Sequence, residues 1–264
     1  MRRLFHGPGR AYDGLEQLTI NWLNGQVLIS LFKEVDVHFI AALKRHVDTR
    51  LAWSAWYSQV QSVLQLHRYQ SGAPIEVLFG ELQAQQNVTE NGLTFRLDLG
   101  QKQNNGLYLD MRYGRKWVLE NSRNKRVLNL FAYTCGFSVA AIAGEATSVV
   151  NLDMAKAALS KGRQNHQVNE HDLAAVSFLG HDLFKSWEKV KKYGPYDLII
   201  IDPPSFKKGS FALTKDYKKI LRRLHELLAE YAPQMTFEKR LDNPPEFVDA
   251  DPEASLKSLL FSTS

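Results

Sequence analysis

Four short stretches between residues 129 and 206 carry side chains suited to holding a flat, hydroxyl-bearing ligand, and each follows a run of aliphatic residues. The first is Asn129-Leu130-Phe131-Ala132-Tyr133-Thr134-Cys135-Gly136-Phe137-Ser138, a strand end that turns into a helix. A turn of this kind lets a ligand approach the backbone, and the helix start offers N–H groups to a carboxylate. The second stretch ends a strand at Asp153 and Met154, where an acid can accept hydrogen bonds from both hydroxyls of a ribose. The third is Gly180-His181-Asp182-Leu183-Phe184, in which Asp182 can accept from an adenine amino group while Leu183 and Phe184 wall the ring. The fourth is Asp202-Pro203-Pro204-Ser205-Phe206. Two prolines there fix an extended turn and remove two N–H donors, so that the carbonyls around Asp202 and Pro203 can face a substrate edge and Phe206 can stack on a ring.

Each acid taken alone also reads as a helix N-cap, and an isolated Asp-Pro-Pro as a rigid loop. Three ligand-suited features at the ends of three successive strands shift the reading toward an adenosine-containing ligand. The first turn lacks a full G-x-G-x-x-G, which counts against a dinucleotide pyrophosphate and hence against a nicotinamide-dependent oxidoreductase.

These stretches need a scaffold that gathers strand ends. From Val88 onward the chain alternates: a hairpin about Asn91-Gly92, a helix at 110–120, strand 126–131, helix 138–143, strand 148–153, helix 155–169, strand 175–179, helix 183–192, strand 196–201 and helix 215–230. Such alternation predicts an α/β fold, a parallel sheet with helices on both faces that binds ligands beyond the carboxyl ends of its strands. Residues 1–87 read as a small α+β domain preceding it, with a strand pair joined at Asn24-Gly25, an amphipathic helix at 36–47 and strands at 60–67 and 75–79. Trp53, Trp56 and Tyr57 are suited to stacking bases but are expected in a packed core or seam. The domains expected are therefore 1–87 and 88–264.

Hydrophobic residues at 44% and charged residues at 23% are those of an ordinary globular protein. The single cysteine, Cys135, excludes an intramolecular disulfide within these 264 residues. No apolar run approaches a membrane span and the first residues show no secretion signal, so the expected compartment is the cytoplasm, with no membrane partner. A net charge of +5 is compatible with a polyanion such as RNA and equally with no such partner.

The residues quoted above, together with Asp98-Leu99-Gly100, the run Gly106-Leu107-Tyr108-Leu109-Asp110-Met111-Arg112, Arg126–Thr134, Gly136-Phe137-Ser138 and Asn151-Leu152-Asp153, resemble the bacterial class I S-adenosylmethionine-dependent methyltransferases related to the 23S ribosomal RNA large-subunit enzymes, which modify cytosine C5 or guanine N7. The likeness covers roughly 93–230, and 14–34 resembles those enzymes' small companion domain; their additional RNA-binding domain of the PUA type is not found here. The resemblance implies a Rossmann-like sheet, S-adenosyl-L-methionine as cofactor and RNA, ribosomal RNA in particular, as substrate, with a homodimer left open. It implies that Asn129, Phe131, Ala132, Tyr133, Thr134 and Gly136 hold the methionine part, Asp153 and Met154 the ribose, and Asp182 and Leu183 the adenine. It also implies that Asp110 and Arg112 close over the donor site, with Arg112 on the cofactor carboxylate, and that Asp202, Pro203 and Phe206 form the acceptor site. A methyltransferase-fold RNA-binding protein without activity is the alternative.

Cytosine C5 is a poor nucleophile that needs a thiol addition to the ring, and Cys135 lies in the donor loop, on the wrong side for that role. A guanine N7 or an exocyclic amine needs no thiol. The pattern also predicts a further strand and helix of about 25 residues after Glu230, whereas Tyr231 follows at once and the closing hairpin 236–241 with 256–261 comes next. Residues missing between Glu230 and Tyr231 are the expectation.

Overall fold

A computed structural model describes residues 1–53, 57–99, 104–203, 213–229, 235–251 and 257–263. The chain divides into two compact units, one of Met1–Thr89, Leu97–Asn105 and Pro244–Leu256, the other of Glu90–Arg96, Gly106–Asn243 and Lys257–Ser264.

In the first unit β1 (Arg2–His6), β2 (Leu18–Leu23), β3 (Gln26–Leu31), β4 (Ser62–His67) and β5 (Ile75–Gly80) form one sheet in that order. The helix α1 (Val37–Ala52) connects β3 to its parallel neighbour β4. The Asn24-Gly25 turn has positive φ at both residues, the backbone a two-residue hairpin requires, and it joins β2 to β3 in antiparallel register. Leu43 and Val47 of α1 pack with Leu18, Val27, Ile29 and Leu31, so the apolar stripe of the helix builds this core. The aromatic cluster does not join it: Trp53 is 87% and Tyr57 54% exposed, because both lie beyond the last buried turn of α1, and Trp56 lies outside the described residues. Two later segments are tied into this unit, Leu99 N–H donating to Ala84 O at 2.7 Å and Ala250 N–H to Gly9 O at 2.6 Å.

A hairpin of β6 (Gln85–Glu90) and β7 (Leu93–Asp98) precedes the alternating region. There α2 (Arg112–Asn121), β8 (Arg126–Leu130), α3 (Gly136–Ala143), β9 (Ser148–Leu152), α4 (Lys156–Gln167), β10 (Val176–Leu179), α5 (Trp187–Tyr193), β11 (Leu198–Ile201) and α6 (Leu213–Arg223) follow in turn. The four strands form a parallel sheet in the order β10-β9-β8-β11. Alternation along the strands sorts the helices. Leu128, Leu130, Val150, Leu152 and Leu179 meet Trp187 and Val190 of α5 and Ile220 of α6 on one face. Val127 and Val149 meet Val118 of α2 and Ala140 and Ala141 of α3 on the other. Both faces are covered, which is why the strands read as nearly continuous apolar runs.

The α3 face also holds a buried polar chain. Asn129 Nδ2 donates to Asn151 Oδ1 at 2.9 Å, Asn151 Nδ2 to Ser138 Oγ at 2.9 Å, and Ser138 Oγ lies 2.9 Å from His166 Nε2. Burial holds His166 down to about 3, so it is neutral, and one of its ring nitrogens shares a single proton with Ser138 Oγ. Replacing Ser138 with alanine strands both neighbours in the core and is expected to cost about 1–3 kcal/mol in urea unfolding. A loss of less than a few tenths of a kcal/mol would show that the chain contributes nothing.

Past α6 the structure departs from the expected helix to residue 230. A 3-10 turn at Leu224–Glu226 ends it, and Leu228 forms a parallel bridge with Tyr196 just ahead of β11, Tyr196 N–H donating to Leu227 O and Ala229 N–H to Tyr196 O, each at 2.8 Å. It is an isolated bridge beside the sheet; the junction at 230–234 lies outside the described residues. The closing hairpin is β12 (Met235–Leu241) with β13 (Ser258–Thr263), its second strand two residues later than expected.

Candidate active site

Register decides where the site lies. Leu179, Leu152, Leu130 and Ile201 are paired across the sheet as one row, each the last residue of its strand. The loops that follow them leave one edge of the sheet, spread over three strand spacings, about 14 Å, which suits an adenosine with an amino-acid tail.

After β8 the loop has an unusual backbone. Phe131, Tyr133 and Cys135 have φ of 58, 47 and 61°, three side-chain-bearing residues in the left-handed region within five positions. Each such residue costs roughly 1–2 kcal/mol, and surrounding contacts must hold it there. Several do. Asp153 Oδ2 accepts from Tyr133 N–H at 2.8 Å, Ala132 N–H donates to Leu152 O at 3.0 Å, and Cys135 N–H to Ala132 O at 2.7 Å. Asn165 Nδ2 of α4 donates to Thr134 O at 3.0 Å, and Thr134 Oγ1 donates to Gly106 O. The loop leads into α3 at Gly136, whose first N–H groups have no intrahelical acceptor and so suit a carboxylate.

Asp153 therefore has a second task besides the one expected of it. Its Oδ1 accepts from Ala155 N–H at 2.8 Å, so each oxygen holds one backbone amide and keeps one lone pair for a ribose hydroxyl. Met154 beside it is exposed. Asp182 Oδ1 accepts from Phe184 N–H at 2.8 Å and Lys185 N–H at 3.4 Å, the N-cap-like geometry weighed against adenine binding, and Oδ2 lies outside those two bonds. Leu183 is packed in the core, so its side chain does not wall an open pocket; Phe184 is the exposed ring there, with Lys219 Nζ 5.4 Å from its centroid. Asn129 does not reach the loop surface either: it faces the α3 side of the sheet and is committed to Asn151.

Asp202 and Pro203 stand just past β11, both half-buried; Phe206 lies outside the described residues. Burial, and then the negative charge of Asp110, push the Asp202 carboxyl up to about 6, while Arg115 opposes them. Asp110, in the 3-10 turn Leu109–Met111, thus lies close enough for its charge to act on Asp202. The Arg112 guanidinium lies 5.3 Å over the ring of its neighbour Tyr113. Tyr217 of α6 is pushed up by burial and by the Asp202 charge, a protonated phenol within that carboxylate's field that sequence reasoning missed. Cys135 is fully buried and its thiol is pushed well above its ordinary range by burial, so it is neither exposed nor ionised.

Sequence reasoning also missed Glu90 and Arg115. Arg115 donates from Nε and Nη2 to the two Glu90 oxygens at 2.6 and 2.9 Å and from Nη2 to Tyr108 O at 2.7 Å. The only local signal was an arginine one helical turn after Arg112; Glu90 carried none.

A family model described as S-adenosylmethionine-dependent methyltransferase matches residues 2–232. Ribosomal RNA large subunit methyltransferase I of Aeromonas salmonicida is 36% identical over 154 residues, 57% of this chain and 39% of that protein. The protein of the same name from Shigella boydii is 31% identical over 232 residues, 85% of this chain and 58% of its own length. The chain thus spans less than two thirds of these relatives. Among solved structures, a candidate S-adenosylmethionine-dependent methyltransferase from Streptococcus mutans superposes with a TM-score of 0.82 at 25% identity, over 98% of this chain and 74% of that one. A candidate methyltransferase complexed with S-adenosylhomocysteine (SAH) gives 0.78 at 26% identity, over 93% and 70%. With its parallel sheet, its strand-end loops and a family match over most of its length, this chain belongs to the S-adenosylmethionine-dependent methyltransferase family.

Proposed function

We propose that this chain transfers a methyl group from S-adenosylmethionine to a nucleobase nitrogen of RNA, with ribosomal RNA as the substrate class. The observation that carries the reading is the row of strand ends Leu179, Leu152, Leu130 and Ile201, which sets the loops bearing Asp182, Asp153, Phe131–Gly136 and Asp202 along one edge. In this reading the α3 N-terminus and the 131–136 loop take the methionine part, Asp153 and Met154 the ribose, Asp182 with Phe184 the adenine, and Asp202 and Pro203 the acceptor. Bound S-adenosylmethionine supplies an activated methyl on a sulfonium, so the work left to the protein is alignment of the acceptor, exclusion of water and, at an N–H acceptor, removal of its proton.

The choice of nitrogen rests on Cys135 as the one cysteine among these 264 residues, and a cysteine in a segment between Glu230 and Tyr231 would reopen C5. Addition of a thiol to C6 of cytosine needs an accessible, ionisable sulfur, and the one cysteine of these 264 residues is buried and protonated. A ring or amino nitrogen has its own lone pair. Asp202, near neutrality in its proton affinity, is suited to accept an N–H hydrogen bond and take a proton. The printed names of the relatives support RNA as the polymer, and with ribosomal RNA as substrate this reading assigns the cytoplasm. No helix among the described residues is long and apolar enough to cross a membrane.

The test is transfer from methyl-labelled donor to total RNA stripped of protein, followed by nucleoside mass spectrometry. Label in an N-methylated nucleoside is the expected result. Label in 5-methylcytidine overturns the nitrogen assignment, and label in protein but not RNA overturns the substrate class.

A further inference from the structure

The pair Glu90–Arg115 is unexplained by the site as described. Both side chains are almost fully removed from solvent, and the carboxylate holds two of the guanidinium's N–H groups in a fork. A buried ion pair is weak evidence for stability, since apolar residues of similar volume often serve the fold as well. What this pair adds is direction. With Nε and one Nη2 hydrogen held by Glu90, the other Nη2 hydrogen is aimed at Tyr108 O, and the side chain is laid against the donor loop. A Cβ built on Gly136 would meet Arg115 Cδ at 3.3 Å and Leu107 Cδ1 at 3.0 Å, so arginine and the 106–108 segment both press on the first residue of α3. The Tyr108 ring lies 5.4 Å from that of Tyr133, and Thr134 Oγ1 donates to Gly106 O.

We infer that Glu90 and Arg115 are positioning residues for the donor: by fixing the Tyr108 carbonyl and laying the Arg115 side chain against Gly136, they hold segment 106–111 against the 131–136 loop in the arrangement that binds the methionine end of S-adenosylmethionine. The inference rests on reading 131–136 as the donor loop. Asp110, on the same segment, and Arg112, which follows it as the first residue of α2, are then held in place by the clamp. A purely structural pair would stabilise the fold and leave donor affinity alone.

The two roles separate in calorimetric SAH titration of the full chain, run beside thermal unfolding of the same samples without ligand. Glu90→Gln and Arg115→Lys are each expected to weaken SAH binding by roughly tenfold or more, the scale on which loss of one charge-assisted hydrogen bond acts. The double variant Glu90→Leu with Arg115→Met replaces the pair with apolar groups. It is expected to recover the unfolding midpoint relative to the singles while SAH affinity stays roughly tenfold down. Recovery of affinity together with stability in the double variant overturns the inference. If the double variant does not fold, Arg115→Lys decides alone: SAH affinity within about twofold of wild type overturns it. Wild-type protein that fails to bind SAH overturns the donor-site reading itself, a result distinct from a variant that binds as well as wild type.

Discussion

Replacing Asp202 with asparagine is expected to lower the methyl-transfer rate by roughly 10²–10⁴-fold, the range of a lost general base, and to raise the unfolding midpoint at neutral pH. Both effects have one cause. Burial and the Asp110 charge raise this carboxyl from 3.8 to about 6, so at neutral pH it is ionised against the preference of its surroundings. Because the folded-state value lies above the unfolded one, its contribution to stability is fully present below about 4 and is lost as pH rises through about 6. Asparagine keeps the shape and has no charge to desolvate, which removes a penalty of at most about 3 kcal/mol. The wild-type rate is expected to rise with pH to a plateau, with an apparent pKa of about 6 at saturating donor, since the ionised form is the one that accepts a proton. The asparagine variant should lose that limb. A variant that keeps the acid limb and most of the rate would show that Asp202 is only a strand-end cap, and an unchanged midpoint would show that the carboxylate is not strained.

Much of this site is legible in the sequence because it lies at strand ends. Runs such as Val127–Leu130 and Leu198–Ile201 announce buried strands, and the residue type that follows each one, at 131–136, 153, 182 and 202, is visible without coordinates. The strand and helix positions expected in the alternating region agree with the structure to within a few residues at most boundaries, the exceptions being the late start of α5 and the early end of α6. What the sequence hides is how the acids are used. Asp153 looks like a ligand group and is also the anchor of the donor loop, because a carboxylate has lone pairs for both tasks. Leu183 looks like a pocket wall, yet the sheet core takes it, since one turn beyond β10 the chain still faces α5 and α6. The left-handed residues Phe131, Tyr133 and Cys135 are invisible to propensity, which reserves that region for glycine and asparagine. Glu90 and Arg115 are 25 residues apart and pair through tertiary packing, so no local pattern connects them. Trp53 misleads for the opposite reason: a large aromatic suggests a core, but it falls after the helix has stopped burying its face.

The second large effect is expected where α4 backs the donor loop. Gly162 lies on the helix face that meets Cys135, and a Cβ there would stand 2.3 Å from Cys135 Sγ, 2.8 Å from its Cβ and 3.3 Å from the Thr134 carbonyl carbon. Two terms oppose each other in Gly162→Ala. Alanine improves helix propensity by about 1 kcal/mol, but the contact is far inside van der Waals distance, and overpacking of this kind costs about 1–3 kcal/mol or more. Relief would require Cys135 to move, and it is buried, left-handed and held through Ala132 O and the Asn165–Thr134 bond. The clash therefore wins, and the displaced atoms are those of the donor loop, so SAH affinity is expected to fall along with stability. Cys135→Gly removes both clashing atoms and suits the backbone at φ 61°. The pair should couple, with the double variant more stable than the sum of the singles by about 1–3 kcal/mol, measured by urea unfolding, and with SAH affinity partly restored in calorimetry. Additive stabilities to within about 0.5 kcal/mol would mean that α4 does not set the loop's conformation, and that the strained turn at 131–135 is held from the sheet side alone.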